Sequence, residues 1–296
     1  MLAVSLFYGL NYFIVKEVFR EISPFGVLSI RSISGTLVFF LIARFLIHEK
    51  IRDRSDYLRL IVCAIFGISI NQFFFLWGLS KTYEVNAAVL MITSPVFVFL
   101  IAWVIKAETL SWRKIGGLLL SFGGATLLVL GGRSLSFSPE TLTGDLMIML
   151  NALSYGTYLV LVRPLVVKYH PLTIIMWIFF FGAFINIPIG ISDLASLEWG
   201  GLSQNTWLGV LYVIIFPTIL AYSLNAWALT RVPSSYVGIY VYLQPVLVTG
   251  LSVVFARNTI TVEKLSYILL VLLGVFFVTY TKGERKKPGL QGGKEK

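Results

Sequence analysis

Charge is scarce in this chain of 296 residues: Asp, Glu, Lys and Arg make up 13% of it, against 57% hydrophobic residues. A soluble domain carries about a quarter of charged residues, so that class is excluded. With a mean hydropathy of +0.85, the chain reads as an all-α, multi-pass membrane protein. There is one cysteine, Cys63, inside an apolar segment, which excludes an intramolecular disulfide and leaves the redox compartment open. Of the two histidines, His48 falls at a segment end and His170 in a loop. The acids Glu17, Glu84 and Asp145 also fall near segment ends. Proton coupling in a membrane relies on buried Asp, Glu or His, so no proton carrier can be named, and a uniporter or a weakly coupled exchanger remains open. No acid cluster for a metal and no nucleophile beside a base is present. No catalytic residue, metal or cofactor is therefore expected, and the connecting stretches are too short for a soluble catalytic domain.

What the chain does have is long apolar segments, each near the roughly 20 residues needed to cross a bilayer. Ten are expected, running from Met1–Val15 and Phe25–Ile47 through Leu146–Val162 and Leu172–Ile191 to Tyr236–Phe255 and Leu265–Thr281. The first is short and begins at Met1, which leaves room for a natural start further upstream.

The segments repeat. Pro95 and Pro245 lie 150 residues apart, and at the same offset Trp77 answers Trp227, Lys81 answers Arg231 and Gly124 answers Gly274. Earlier in each half the offset is 147: Tyr8-Gly9 answers Tyr155-Gly156, Lys16 answers Arg163 and Pro24 answers Pro171. Five segments per copy is an odd number, so the second copy is expected to enter the membrane inverted, an arrangement found in secondary transporters. The expected organisation is a first five-helix repeat over 1–131, an extracytoplasmic linker at 132–143, an inverted repeat over 144–281 and a disordered basic tail at 282–296.

The net charge of +10 invites a nucleic-acid partner, but its placement argues for a topology signal instead. With ten spans, 17 of the 24 Lys and Arg fall on the side of the two termini, six fall opposite, and Arg31 lies within a span. The positive-inside rule then places both termini in the cytoplasm, with the chain in a bacterial-type cytoplasmic membrane.

Tyr8-Gly9-Leu10-Asn11, Pro24 followed by Arg31, Thr93-Ser94-Pro95, the Gly116-Gly117 to Gly123-Gly124 run and Leu243-Gln244-Pro245 together resemble the EamA-type carriers of the drug/metabolite transporter superfamily. The resemblance covers essentially the whole chain. It implies a ten-helix exporter or facilitator of small polar metabolites, often amino acids, with a central cavity lined by helices 1, 3, 4, 6, 8 and 9.

Each of the two prolines should free the carbonyl four residues earlier, on Met91 and Val241, and bend its helix. Inside lipid such carbonyls need a partner or a wet cavity, so Pro95 and Pro245 are candidate hinges. On the ninth segment Tyr236, Tyr240 and Gln244 recur at helical spacing, with Asn86, Leu90 and Ser94 at the equivalent places of the fourth. The third and eighth segments add Asn71, Gln72 and Trp77, then Tyr222, Asn225 and Trp227. The sixth adds Asn151, Tyr155 and Tyr158, and the first Tyr8 and Asn11. Polar side chains in spans turn away from lipid. The substrate-binding candidates are therefore Asn11, Gln72, Trp77, Ser94, Tyr155, Tyr158, Tyr222, Asn225, Tyr240 and Gln244. Arg31 lies about 9 Å past Phe25 at 1.5 Å per residue, close enough to the outer surface to snorkel, and a gating role is weighed equally with substrate contact. A single intramembrane cation disfavours phosphate-rich substrates. Gly117, Ser121, Gly124 and Ala125 form a small-residue stripe, expected to pack within a monomer rather than to make a homodimer.

The reading is a carrier, partnered by the bilayer and by a small neutral or zwitterionic metabolite, working by alternating access. Its rivals are a membrane-embedded enzyme acting on lipid or prenyl substrates and a metabolite channel.

Overall fold

The structure is a computed structural model, and it describes residues 1–109, 111–130, 139–254 and 261–280. Most of the linker expected at 132–143 and all of the basic tail at 282–296 lie outside the described residues.

Among the described residues there is no strand, and eight helices are long and apolar enough to cross a membrane. They are α2 (Pro24–Ile47), α3 (Arg54–Lys81), α4 (Glu84–Val104), α5 (Trp112–Leu130), α6 (Pro139–Lys168), α7 (Pro171–Ala195), α8 (Gln204–Leu229) and α10 (Val262–Thr279). Two further helical stretches complete the bundle: α1 (Leu2–Val18), of 17 residues, and α9 over 234–254. The sixth segment, expected at Leu146–Val162, is the core of a helix of 30 residues that carries Pro164 inside it.

Local chemistry sets the helix ends. Ser23 accepts a hydrogen bond from the Gly26 amide and Pro24 follows at the first helical position. At offset 147, His170 accepts from the Leu172 amide and Pro171 follows. A capping side chain followed by a proline that needs no amide partner is a strong start signal. His48 and Lys106, both at φ 57°, close α2 and α4 in the left-handed region.

Among the described residues α2 ends in a π-helix at Ala43–Ile47, and four other helices carry interruptions within their length that repeat between the halves. In α3 the backbone opens into a π-helix at Ile65–Ile70, and in α8 at Ile214–Leu220, which contains Pro217. In α4 the helix breaks at Ile92–Thr93, just before Pro95; in α9 it tightens to 3-10 geometry over Ile239–Tyr242, just before Pro245. Each proline ring clashes with the carbonyl four residues earlier, which is where the expected bends are found.

Helices pack extensively on their own sequence counterparts, α2 on α7 and α5 on α10. These contacts are close because they use glycine. A Cβ on Gly190 would sit 1.9 Å from the Phe25 carbonyl oxygen, and one on Gly274 would sit 2.4 Å from that of Gly117. The small-residue stripe of α5 thus lies against α10 of the same chain. Single residues meet their counterparts as well: the rings of Tyr8 and Tyr155 are 6.4 Å apart, edge to face; Gln72 donates to the Tyr222 hydroxyl at 3.4 Å; and Ser121 donates to the Val271 carbonyl at 3.2 Å.

Two cationic tethers stand at opposite ends of the bundle. Lys16, late in α1, donates to the Thr82 carbonyl in the α3–α4 turn at 2.8 Å and pairs with Glu84 at 3.2 Å. Arg163, late in α6, donates to the Val232 carbonyl in the α8–α9 turn at 3.1 Å. Asp145, early in α6, accepts from Thr82 at the Lys16 end. At 1.5 Å per residue, Arg163 lies roughly 27 Å further along the same helix.

Candidate functional site

Between these ends lies a buried cavity of about 50 Å³, room for a few ordered waters. Its polar lining comes from α1, α2, α3, α6 and α9: Tyr8, Asn11, Arg31, Gln72, Asn151 and Gln244. Aromatic walls are supplied by Tyr12, Phe75, Tyr155 and Tyr222. Met91 and Val241 also line it; they stand four residues before Pro95 and Pro245, which have no amide to donate to their carbonyls in the regular helical pattern.

The π-helix of α3 makes this lining possible. A π turn rotates carbonyls out of the regular ladder, and three of those in Ile65–Ile70 are taken by side chains from other helices. Ser154 donates to the Phe66 carbonyl at 2.6 Å, Tyr222 to that of Gly67 at 2.8 Å and Asn186 to that of Ile68 at 3.4 Å. The π-helix of α8 presents Thr218, which donates to the Val213 carbonyl at 2.8 Å and accepts from Arg31 Nε at 3.0 Å. Asn71 and Asn151 exchange amide-to-carbonyl bonds between α3 and α6 at 3.5 and 2.7 Å.

Electrostatically the cavity is unbalanced. Arg31 is 4% exposed, and no carboxylate lies within ion-pair distance of it among the described residues. Its bond to Thr218 is the only hydrogen bond of the guanidinium among those residues. Three lining amides, Asn11, Gln72 and Asn151, have carbonyl oxygens with no donor among the described residues. Buried polar groups are nearly always paired, so this concentration marks a place where a ligand or water completes the bonding.

At Tyr12, Val241 and Gln244 the cavity shares its wall with a wider cleft of about 470 Å³. That cleft runs between α1, α4, α5, α9 and α10 to Glu84 and Lys264, at the Lys16 end of the bundle. No cluster of three or more His, Cys, Asp or Glu able to hold a metal is present among the described residues.

The EamA-like transporter family matches residues 1–130 and again residues 142–280. The chain belongs to the EamA-like transporter family. An uncharacterized transporter of Archaeoglobus fulgidus is 32% identical over 205 residues, 69% of each chain. The uncharacterized transporter YoaV of Bacillus subtilis is 23% identical over 97% of each chain, and a WAT1-related protein of Arabidopsis thaliana is 25% identical over 77% of this chain and 66% of its own. A crystal structure superposes with a TM-score of 0.74 over 94% of both chains at 19% identity, which establishes the shared fold.

In this EamA-like chain the residues singled out from sequence separate into two groups. Asn11, Gln72, Tyr155, Tyr222, Gln244 and Arg31 converge on the cavity. Asn225 stands behind it, donating to the hydroxyls of Tyr8 and Tyr155 at 3.4 Å each. Tyr158 is buried against Gly67 and Tyr222, and Ser94 is buried with no partner for its hydroxyl among the described residues. Trp77 stacks edge-on against Phe25 and Phe73 with Lys81 6.0 Å from its ring, and lies away from the cavity. Its counterpart Trp227 is 54% exposed with Arg231 at 3.8 Å, the pattern of an interfacial aromatic paired with a cation.

Tyr240 packs against the apolar cluster that contains Ile92, Phe99 and Leu118 and is not among the residues lining the cavity, because the 3-10 turn rotates it off the face that carries Gln244. Arg31, expected close enough to the surface to snorkel, is enclosed against Thr218. The residues that sequence reasoning missed are Tyr12, Phe75 and Thr218. For Thr218 the available signal is a hydroxyl residue following Pro217 in an apolar run.

Proposed function

We propose that this EamA-like protein is a secondary carrier with ten transmembrane helices in two inverted five-helix repeats. It moves a small polar metabolite, an amino acid or a related compound, across the cytoplasmic membrane by alternating access. The observation that carries this reading is the buried, hydrogen-bond-deficient cavity, separated by the Tyr12, Val241 and Gln244 wall from a cleft that leads to one end of the bundle. The two-fold arrangement is supported by the double family match and by counterparts that touch, Tyr8 with Tyr155 and Gln72 with Tyr222. A residue touches its own counterpart where a two-fold axis passes, and a substrate site near such an axis suits inverted-repeat carriers. Pro95 and Pro245, beside the breaks in α4 and α9, serve as hinges, and Arg31, with Asn11, Gln72, Tyr155, Tyr222 and Gln244, contacts substrate. Cytoplasmic termini rest on the distribution of Lys and Arg, and the outward direction rests on the family resemblance.

Purified full-length protein in liposomes tests the class: saturable uptake of labelled amino acids, with counterflow when unlabelled compound is placed inside, is the expected result. Flux that rises without saturation would replace the carrier with a channel. Reporter fusions at Lys282 and Ser136 should give opposite signals, and matching signals would defeat the ten-span topology.

A further inference from the structure

Within the cavity the lining is sharply divided. On the α2–α8 side stands the Arg31 guanidinium, anchored at Nε by Thr218 and carrying four further N–H donors with no protein acceptor among the described residues. Facing the same cavity from α1, α3 and α6 are the donor-free carbonyl oxygens of Asn11, Gln72 and Asn151. Arginine does not give up its proton, and an unpaired buried ion is costly. The described residues supply no counter-charge, so an anion from outside has to.

We propose that Arg31 is the anchor for a single carboxylate of the transported molecule, with the three amide oxygens receiving N–H or O–H donors from its other end. This rests on the carrier reading and deepens it. The planar fork of a guanidinium matches a carboxylate in two parallel bonds, and the Thr218 contact at Nε leaves the two Nη atoms to make them. One negative charge neutralises Arg31. A second would stand uncompensated among the amide oxygens, which are acceptors and repel it. A dicarboxylate or a phosphate monoester is therefore disfavoured, since its second charge has no cationic partner among the described lining residues, and an amine without a carboxylate leaves Arg31 unpaired. Thr218 is a positioning residue: it fixes the plane of the fork without touching the ligand.

The test uses the full chain in detergent and in liposomes, with the 20 common amino acids, their α-carboxamides and their decarboxylated amines as probes, and chloride or acetate as competing anions. Binding is expected for a subset of the amino acids, with the carboxamides and amines weaker by about tenfold to a hundredfold, the range for one charge-assisted bond. Arg31→Gln is expected to erase that preference, and Arg31→Lys to restore part of it. Replacing a buried unpaired charge by a neutral amide leaves folding intact or improved, so a monodisperse, thermally stable Arg31→Gln protein is expected. If that variant fails to fold, the wild-type comparison of acid against carboxamide decides alone. Acetate should compete with the amino acids, whereas competition by chloride with no discrimination between acid and carboxamide would make Arg31 an inorganic-anion site and overturn the proposal. Equal binding of carboxamides and acids, or no binding of any carboxylate, overturns it too. Saturable transport of amines or carboxamides unaffected by Arg31→Gln defeats the carboxylate anchor and leaves the carrier standing. Carboxylate binding through Arg31 without any flux supports the anchor and defeats the carrier.

Discussion

Replacing Gly274 by alanine should separate close helix packing from helix propensity, because the chain supplies its own control at Gly123. A Cβ at Gly274 would lie 2.2 Å from Ser121 Oγ, 2.4 Å from the Gly117 carbonyl oxygen and 2.6 Å from the Ser121 amide nitrogen. Two of these three are backbone atoms, so no rotamer change relieves the clash, and α10 has to move away from α5. A Cβ at Gly123 meets nothing within 4 Å. Both are glycines inside helices, where alanine gains about 0.5–1 kcal/mol of backbone entropy. At Gly123 that gain stands alone. At Gly274 the overpacking term of about 1–3 kcal/mol opposes it, and the separated helices also lose the Ser121–Val271 hydrogen bond, worth about 1 kcal/mol. Gly274→Ala is thus expected to be destabilised by roughly 1–3 kcal/mol, and Gly123→Ala to be unchanged or slightly stabilised. Fluorescence-detected size-exclusion chromatography after heating in detergent reads both, with Gly117→Ala as a second member of the clashing pair. Equal midpoints for Gly274→Ala and Gly123→Ala would refute the close approach of α5 and α10. A change of oligomeric state without a change of midpoint would assign the stripe to contact between copies.

Pro95→Ala and Pro245→Ala are expected to slow transport several-fold while leaving folded yield near normal, since each restores a helical bond beside a break in α4 or α9; normal uptake rates in liposomes would make the prolines structural only. Gln244→Ala should weaken substrate binding by about 1 kcal/mol, the value of one neutral hydrogen bond, whereas Tyr240→Ala should leave affinity nearly unchanged because its ring packs outside the cavity; equilibrium binding in detergent checks the pair, and the reverse order would move the site onto the Tyr240 face. Tyr222→Phe removes the donor to the Gly67 carbonyl in the α3 π-helix and should lower the thermal midpoint by the equivalent of about 1–3 kcal/mol for a buried unpaired acceptor; an unchanged midpoint would show that water replaces the hydroxyl.

The helical class, the duplication and the cavity-lining polar residues of the first, third, sixth and eighth segments were readable from sequence, since a polar side chain in an apolar run has few places to go. On the ninth segment Gln244 was readable as well, whereas Tyr240 was not. Tyr236, Tyr240 and Gln244 share a face only at a uniform 100° per residue, and the 3-10 turn at Ile239–Tyr242 advances about 120° per residue. Each residue in that turn therefore adds about 20° of error. Pro245 announced a disturbance but not its pitch. Trp77 lies outside the cavity for a different reason: it and its counterpart Trp227 each hold a cation of the following turn near the ring, a feature that duplication preserves as faithfully as a site. Thr218 was hidden because its role depends on the π-helix around it, and π turns have no periodic signature in hydropathy. For Arg31, position along the helix does not tell whether a long side chain reaches outward to the headgroups or inward to Thr218.

The tethers at the two ends are alike in their hydrogen bonds and unlike in their electrostatics. Lys16 holds both the Thr82 carbonyl and the Glu84 carboxylate, while Arg163 holds the Val232 carbonyl and has no carboxylate partner among the described residues. If each orientation of the proposed cycle opens one tether and keeps the other, the cycle is not energetically level. The half-exposed Lys16–Glu84 pair adds up to about 1 kcal/mol to closure of its own end, which corresponds to a resting population skewed by up to about fivefold. Such a pair is screened by salt while a carbonyl bond is screened far less. The medium bathing the Lys16 end would thus act as a bias on a seesaw: dilute solution holds that end shut, and rising ionic strength brings the two orientations towards parity without any change in the substrate site.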